Sequence, residues 1–426
     1  MRLDASDAGF EAAFTQLVNA RREADSDVSR DVTAIIAAVR DQGDAALHDF
    51  TSRFDGHDLD KTGWEVSKAE RRAALDGLDK ALRGAIELAA ARITDYHAAQ
   101  KPADREYVDA VGVRLGARWG AVDAAGLYVP GGRAAYPSTV LMNAIPARAA
   151  GVGRVVMVTP TPKGETNPLV LAAAEIAGVD EVWRVGGAHA IAALAYGTDR
   201  IRPVDVIVGP GNAWVAEAKR QLYGVVGIDM VAGPSEIVVV ADGANNPAWI
   251  AADLLSQAEH DPTSQSVLFT DDAAFAGAVE QAVADQLTRL ATGNTAAIAW
   301  NDNGAIILVP TLDSAMPLVD RLAPEHLELA VDAPQTLFDQ VRHAGSVFLG
   351  RHTPEAIGDY IAGPNHVLPT GRRARFASGL SVLDFMKRTS FIACDAASLA
   401  AIGPAAIALA HAEGLPAHAA SIAVRL

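Results

Sequence analysis

From Arg154 onward the chain alternates short β-rich runs with helical ones, and this alternation constrains its fold more than any other feature. Arg154-Val-Val-Met-Val-Thr159, Glu181-Val-Trp-Arg-Val185 and Val204-Asp-Val-Ile-Val208 read as strands. Pro168 to Ala177, Ala188 to Ala195 and Ala213 to Leu222 follow them with helical spacing. A βαβαβα order predicts a parallel sheet covered by helices, because successive parallel strands need a crossover of helical length. Glu236-Ile-Val-Val-Val-Ala241 opens a second series, continued by the helix Pro247 to His260, the strand Ser266 to Thr270 and the helix Ala273 to Leu290. Ala305 to Val309 and Ser346 to Leu349 supply further strands. Before about residue 100 the chain reads as helices: Asp31 to Gln42, Lys68 to Leu75 and Leu78 to Ala99. The expected fold class is α/β, with two Rossmann-like units whose parallel sheets are covered by helices, a helical N-terminal arm and a C-terminal tail. The expected division is 1–25 for the arm, 26–110 with 237–380 for a first unit, 111–236 for a second, and 381–426 for the tail.

At 426 residues the chain exceeds what one ordinary core organises. Its 52 acidic against 36 basic residues, with no Lys/Arg-rich run, argue against nucleic acid and against an anionic membrane surface as partners. No run approaches twenty uninterrupted apolar residues; the Ala-rich stretch from Phe391 to Ala412 is broken by Asp395 and Pro404. The N-terminus carries early acids and no apolar signal-type segment, so the expected location is cytoplasmic. Cys394 is the single cysteine, which excludes an intrachain disulfide and a thiolate zinc knuckle.

Ligands of open α/β sheets bind beyond the carboxyl ends of strands. Glycine-rich turns sit near strand ends here: Pro130-Gly-Gly132 after Tyr128, Gly186-Gly187, Gly209-Pro-Gly-Asn212 and Gly233-Pro-Ser-Glu236. Each read alone is equally a tight βα turn, and the dinucleotide fingerprint G-x-G-x-x-G is absent.

Four clusters carry possible chemistry. Gln257 and His260, three residues apart at a helix end, emerge on one face and can form half of a metal site. Glu325-His326 sets an acid beside a base after Pro324. Asp359 and His366 lie in a segment dense in Gly and Pro, and Glu413 and His418 lie near the chain end. Taken singly, these are as simply a polar helix rim, a turn, a loop and a solvated terminus. Together, Gln257, His260, Asp359 and His418 make an oxygen and nitrogen donor set suited to Zn²⁺.

In its motifs the chain resembles the histidinol dehydrogenase family over nearly its whole length. The resemblance rests on Gly126-Leu-Tyr128-Val-Pro-Gly-Gly132, Ser138-Thr-Val-Leu-Met142, Gly209-Pro-Gly-Asn212, Gly233-Pro-Ser-Glu236 and Leu254-Leu-Ser-Gln-Ala-Glu-His260. Pro324-Glu-His-Leu327, Gly345 to Gly350, Asn365 to Thr370 and the Glu413/His418 tail extend it. It implies that Gln257, His260, Asp359 and His418 bind one zinc per subunit, and that Glu325 and His326 are the catalytic pair. It implies substrate contacts from Ser235, His366 and Glu413, as well as from His326 and the four zinc ligands. Tyr128 and Asn212 would hold NAD, with His189 at a turn where the family commonly has Gln. The implied metal and catalytic unit is 26–110 with 237–380, and the NAD side is 111–236. The implied reaction takes L-histidinol through histidinal to L-histidine with two NAD⁺. The implied assembly is a homodimer whose tails complete each other's sites. A zinc hydrolase would use the same donors but leave the glycine turns without a role. A related alcohol dehydrogenase acting on another polar alcohol would not need His366 or the tail, and a non-catalytic module would not need the metal set.

Overall fold

The structure, a computed structural model, describes residues 1–20, 28–131, 136–231 and 233–426. Gly132 of the Pro130-Gly-Gly132 turn and the expected boundary at residues 25 and 26 lie outside the described residues. In chain order the strands are β1 (Arg2–Asp4), β2 (Arg105–Val108), β3 (Arg114–Ala121), β4 (Ala124–Tyr128), β5 (Arg154–Val158), β6 (Glu181–Trp183) and β7 (Val206–Val208). They continue as β8 (Gly227–Ile228), β9 (Glu236–Ala241), β10 (Gln265–Thr270), β11 (Ala305–Leu308), β12 (His326–Ala330), β13 (Ser346–Leu349) and β14 (Met386–Ala393).

Two parallel sheets form, as the alternation requires. One has the order β6-β5-β4-β7-β8, the other β1-β11-β10-β9-β12-β13. Their central strands are apolar on both faces, as in Glu236-Ile-Val-Val-Val-Ala241, because helices cover both sides. On the six-stranded sheet, Val238, Val240, Leu327 and Leu329 pack with Phe14 and Val319, while Ile237, Val239 and Ala330 pack with Leu254, Leu255 and Val279. Strand alternation therefore turns His326 and Glu328, in step with Ala330, toward the helix Pro247–Ala258.

Two expectations are corrected. The helices Ser29–Gln42 and Lys80–Ala99, expected in one unit with residues 237–380, cover the five-stranded sheet instead. Val32, Ile35 and Val39 join Tyr128, Val156 and Ile191 in one core, and Ile86 and Ile93 join Val140 and Met157 in another. The six-stranded sheet has both faces filled by its own helices, so no apolar face remains for them there. The N-terminal arm is not purely helical: β1 pairs with β11 as the edge strand of the six-stranded sheet, and the helix Phe10–Asn19 docks beneath it. The tail contains β14, which pairs antiparallel with β3 in a third sheet, β14-β3-β2, before the helices Ala396–Ala412 and Pro416–Ala423. Among the described residues no helix is long and apolar enough to cross a membrane.

Candidate active site between the two sheets

The five-stranded sheet reverses its strand order between β4 and β7, which is where such sheets open a ligand crevice. Tyr128 closes β4 and Gly209 follows β7, so the two glycine-rich turns flank that crevice. The buried Tyr128 hydroxyl accepts the Gly187 N–H at 3.2 Å, tying in the turn after β6. Asn212 caps the helix Ala213–Leu222, its Oδ1 accepting from Trp214 and Val215. His189 is buried beside Phe50 and Phe54, with Nε2 3.4 Å from the Thr51 hydroxyl, and burial pulls its pKa down to about 3.

The six-stranded sheet behaves differently. Its chemistry gathers at the amino ends of β9 and β12, not at their carboxyl ends. Glu236, first residue of β9, binds both members of the acid–base pair through its backbone. Its N–H donates to Glu325 Oε2 at 2.9 Å, and its carbonyl lies 3.1 Å from His326 Nδ1. A carbonyl only accepts, so Nδ1 carries the proton and Nε2 presents a lone pair. That Nε2 faces Glu355 Oε1 at 3.6 Å and Asp359 Oδ1 at 3.9 Å. Burial pulls His326 down to about 4 against the opposing pull of Asp359. Burial, reinforced by the carboxylates of Glu236, Asp359 and Glu355, holds Glu325 well above the usual carboxylate range despite its bond from the Glu236 N–H.

Asp359 reaches the imidazole from the helix Glu355–Tyr360, which presents Glu355 and Asp359 one turn apart on one face. The Gly- and Pro-dense segment around Asp359 thus begins as helix rather than as loop. Gly358 is where the helix meets β13: an added Cβ would lie 2.6 Å from the Phe348 ring. His366 Nδ1 lies 3.0 Å from the Asp359 carbonyl, and its Nε2 lies 3.5 Å from the Thr139 hydroxyl of the other unit. A cavity of about 140 Å³ opens here, lined by His326, Phe348, Asp359, Pro364 and His366. It has room for a small polar molecule, not for a dinucleotide.

The helix expected to run to His260 ends at Ala258, and His260 sits in the following turn with its N–H bonded to the Gln257 carbonyl. His260 nevertheless lies close enough to His326 and His366 to act on their charge. Ser256 of the same helix donates to Glu355 Oε2 at 3.1 Å, tying this helix to the cluster. Gln257 is buried, and neither its amide oxygen nor its nitrogen has a partner among the described residues. Buried amides are almost always satisfied, and the chemistry of the open amide oxygen is compatible with a divalent cation. Ser235 immediately precedes Glu236, and its carbonyl accepts from Gln265 N–H.

Within one chain Glu413 and His418 do not join the cluster: both are exposed, and the groups acting on His326 are Asp359, Glu236, His260 and His366. Sequence reasoning missed Glu355, which closes a potential metal-binding group with His326 and Asp359. Burial pushes Glu355 up to about 8, with Asp359 adding to the rise. Its spacing of four from Asp359 was the available signal.

A buried imidazole with an open lone pair in one unit and a crevice of the nucleotide-binding type in the other are the equipment of a dehydrogenase. A family profile of histidinol dehydrogenases matches residues 18–426. A histidinol dehydrogenase of Zymomonas mobilis subsp. mobilis is 63% identical over 426 residues, covering 100% of this chain and 99% of that protein. One of Caulobacter vibrioides is 61% identical, covering 99% and 98%. The crystal structure of histidinol dehydrogenase from Elizabethkingia anophelis superposes with a TM-score of 0.95 at 35% identity, covering 100% of this chain and 97% of that one. The chain belongs to the histidinol dehydrogenase family. Its activity is NAD-dependent histidinol dehydrogenation, the final step of histidine biosynthesis.

Proposed function

We propose that His326 and Glu325 carry the two proton transfers of the four-electron oxidation of L-histidinol to L-histidine, and that His326 is the base for the alcohol. The observation that carries this reading is the tautomer imposed by Glu236, which leaves Nε2 free to accept the hydroxyl proton. NAD supplies the hydride acceptor for both oxidations. After the first, the aldehyde must add water, and Glu325 is the carboxylate beside the base that can deprotonate it. A carboxyl raised by burial is a stronger base once ionised, which suits that task.

Gln257, His260 and Asp359, with His418 of the partner subunit, would hold one zinc ion per subunit. The metal would supply a cationic anchor for the substrate's imidazole and amine, holding the aldehyde in place between steps. Ser235, His366 and Glu413 of the partner subunit would complete the substrate's contacts. Tyr128, Asn212 and the turn containing His189 would receive NAD. Exposed Leu409, Leu415, Val424 and Leu426 give the tail an apolar surface, supporting a homodimer in which each tail finishes the other chain's site. The cytoplasm is the proposed location.

The test is direct. NADH should appear on adding histidinol and NAD⁺ to the zinc-loaded protein, and elemental analysis should find one metal per chain. Metal-free protein turning over at the full rate would refute the metal assignment; histidinol left unoxidised by the loaded protein would refute the scheme.

A further inference from the structure

Gly209 stands at the rim of the crevice with φ +109°, and an added Cβ would lie 2.2 Å from the Tyr128 carbonyl oxygen. The turn after β7 thus rests on the end of β4, and whatever fixes Gly209 also fixes its relation to Tyr128. Its two backbone groups go to two buried side chains. The Gly209 N–H donates to Asp229 Oδ2 at 2.8 Å, and Lys219 Nζ donates to the Gly209 carbonyl at 2.9 Å. Lys219 and Asp229 also pair directly, their side chains 2% and 1% exposed. Asp229 Oδ1 further accepts the Met230 N–H at 2.6 Å. Lys219 comes from the helix capped by Asn212, and Asp229 follows β8, so three elements meet at one glycine.

We propose that Lys219 and Asp229 are positioning residues for the dinucleotide, clamping Gly209 so that Tyr128 and Asn212 are preset to receive it. This rests on the reading of Tyr128 and Asn212 as cofactor contacts. A buried ion pair is a poor source of stability, since apolar side chains of similar volume often serve as well. Here each ion also binds the backbone of the residue least able to hold itself, a glycine with a left-handed φ. Without the clamp, cofactor binding must itself order the turn, and affinity falls accordingly.

Zinc-loaded Lys219→Met and Asp229→Asn should raise KM for NAD⁺ about tenfold or more, leaving KM for histidinol and kcat at saturating NAD⁺ within about twofold. The double variant Lys219→Met/Asp229→Leu should keep the wild-type melting temperature yet retain the raised KM for NAD⁺. If the double variant binds NAD⁺ normally, or the single variants lose kcat with KM unchanged, the pair is structural and the inference falls. Asn212→Ala and Tyr128→Phe separate the two levels. If they weaken NAD⁺ binding and the clamp variants do not, only the clamp is wrong; if they do not weaken it, the underlying reading of the turn is wrong. Should the variants fail to fold, amide exchange on the unaltered protein decides. The Gly209 amide should be protected before NAD⁺ is added, and exchange there at the rate of a free loop would overturn the proposal.

Discussion

His326 Nδ1 donates to the carbonyl oxygen of Glu236 at 3.1 Å, and this one bond fixes which imidazole nitrogen can act as a base. The same residue's N–H holds Glu325, so both side chains of the proposed acid–base pair are registered to the first residue of β9. Register between β12 and β9, with His326 opposite Ile237, therefore sets the geometry of the site.

His326→Asn should lower kcat for histidinol by about 10²–10⁴, the usual contribution of a positioned base, with little change in zinc content. Glu325→Gln should slow histidinal oxidation more than the alcohol step. Steady-state NADH formation from each substrate checks both; equal, small effects on histidinal would defeat the division of roles.

Gln257 makes metal removal informative. Its buried amide has no partner among the described residues, and an unsatisfied buried polar group costs about 1–3 kcal/mol. In metal-free protein, Gln257→Leu should therefore melt above the unaltered chain. With zinc added, the order should reverse as the variant loses a ligand. Melting curves with and without chelator report both.

Glu328 lies two residues beyond His326 on β12, and burial, with Asp253 beside it, pushes it up from 4.5 to about 9. An unfolded chain releases this proton near pH 4.5, while the folded one keeps it to about 9, so the folded state binds more protons between them. Stability is then highest below that window and falls as pH rises through it. Glu328→Gln should flatten the fall: denaturant midpoints should match at pH 4 and favour the variant at pH 9, both pH values being roughly the edges of the window.

His189 is held neutral by burial, with its pKa drawn down to about 3. A neutral imidazole imparts no pH dependence to NAD⁺ binding near neutrality. KM for NAD⁺ should show no inflection between about pH 5 and 8 that His189→Gln removes.

Mixing His418→Ala chains with His326→Asn chains should restore activity after subunit exchange. Each homodimer is expected to be nearly inactive, whereas one site of a heterodimer would gather both defects and the other none. Verified exchange with no recovery would show that the tail serves its own subunit.

What the sequence by itself determined was local. Apolar runs of strand length alternating with helical spacing made the two parallel sheets legible, since periodicity depends on residues a few positions apart. Glu325 and His326 could be paired because they are adjacent, and Gln257 and His260 because one turn separates them. Tertiary structure decided the rest. The N-terminal helices could have covered either sheet on their apolar stripes; they cover the five-stranded one because the other sheet's faces were already filled. β14 pairs with β3 through Met386 opposite Ala121, a contact across hundreds of residues that no local pattern encodes. Glu355 became a neighbour of His326, and Lys219 of Asp229, only when separate elements packed together. Burial then moved His326, Glu355 and Glu328 far from their ordinary pKa values. Such shifts come from the loss of water around a charge, and only the assembled core removes that water.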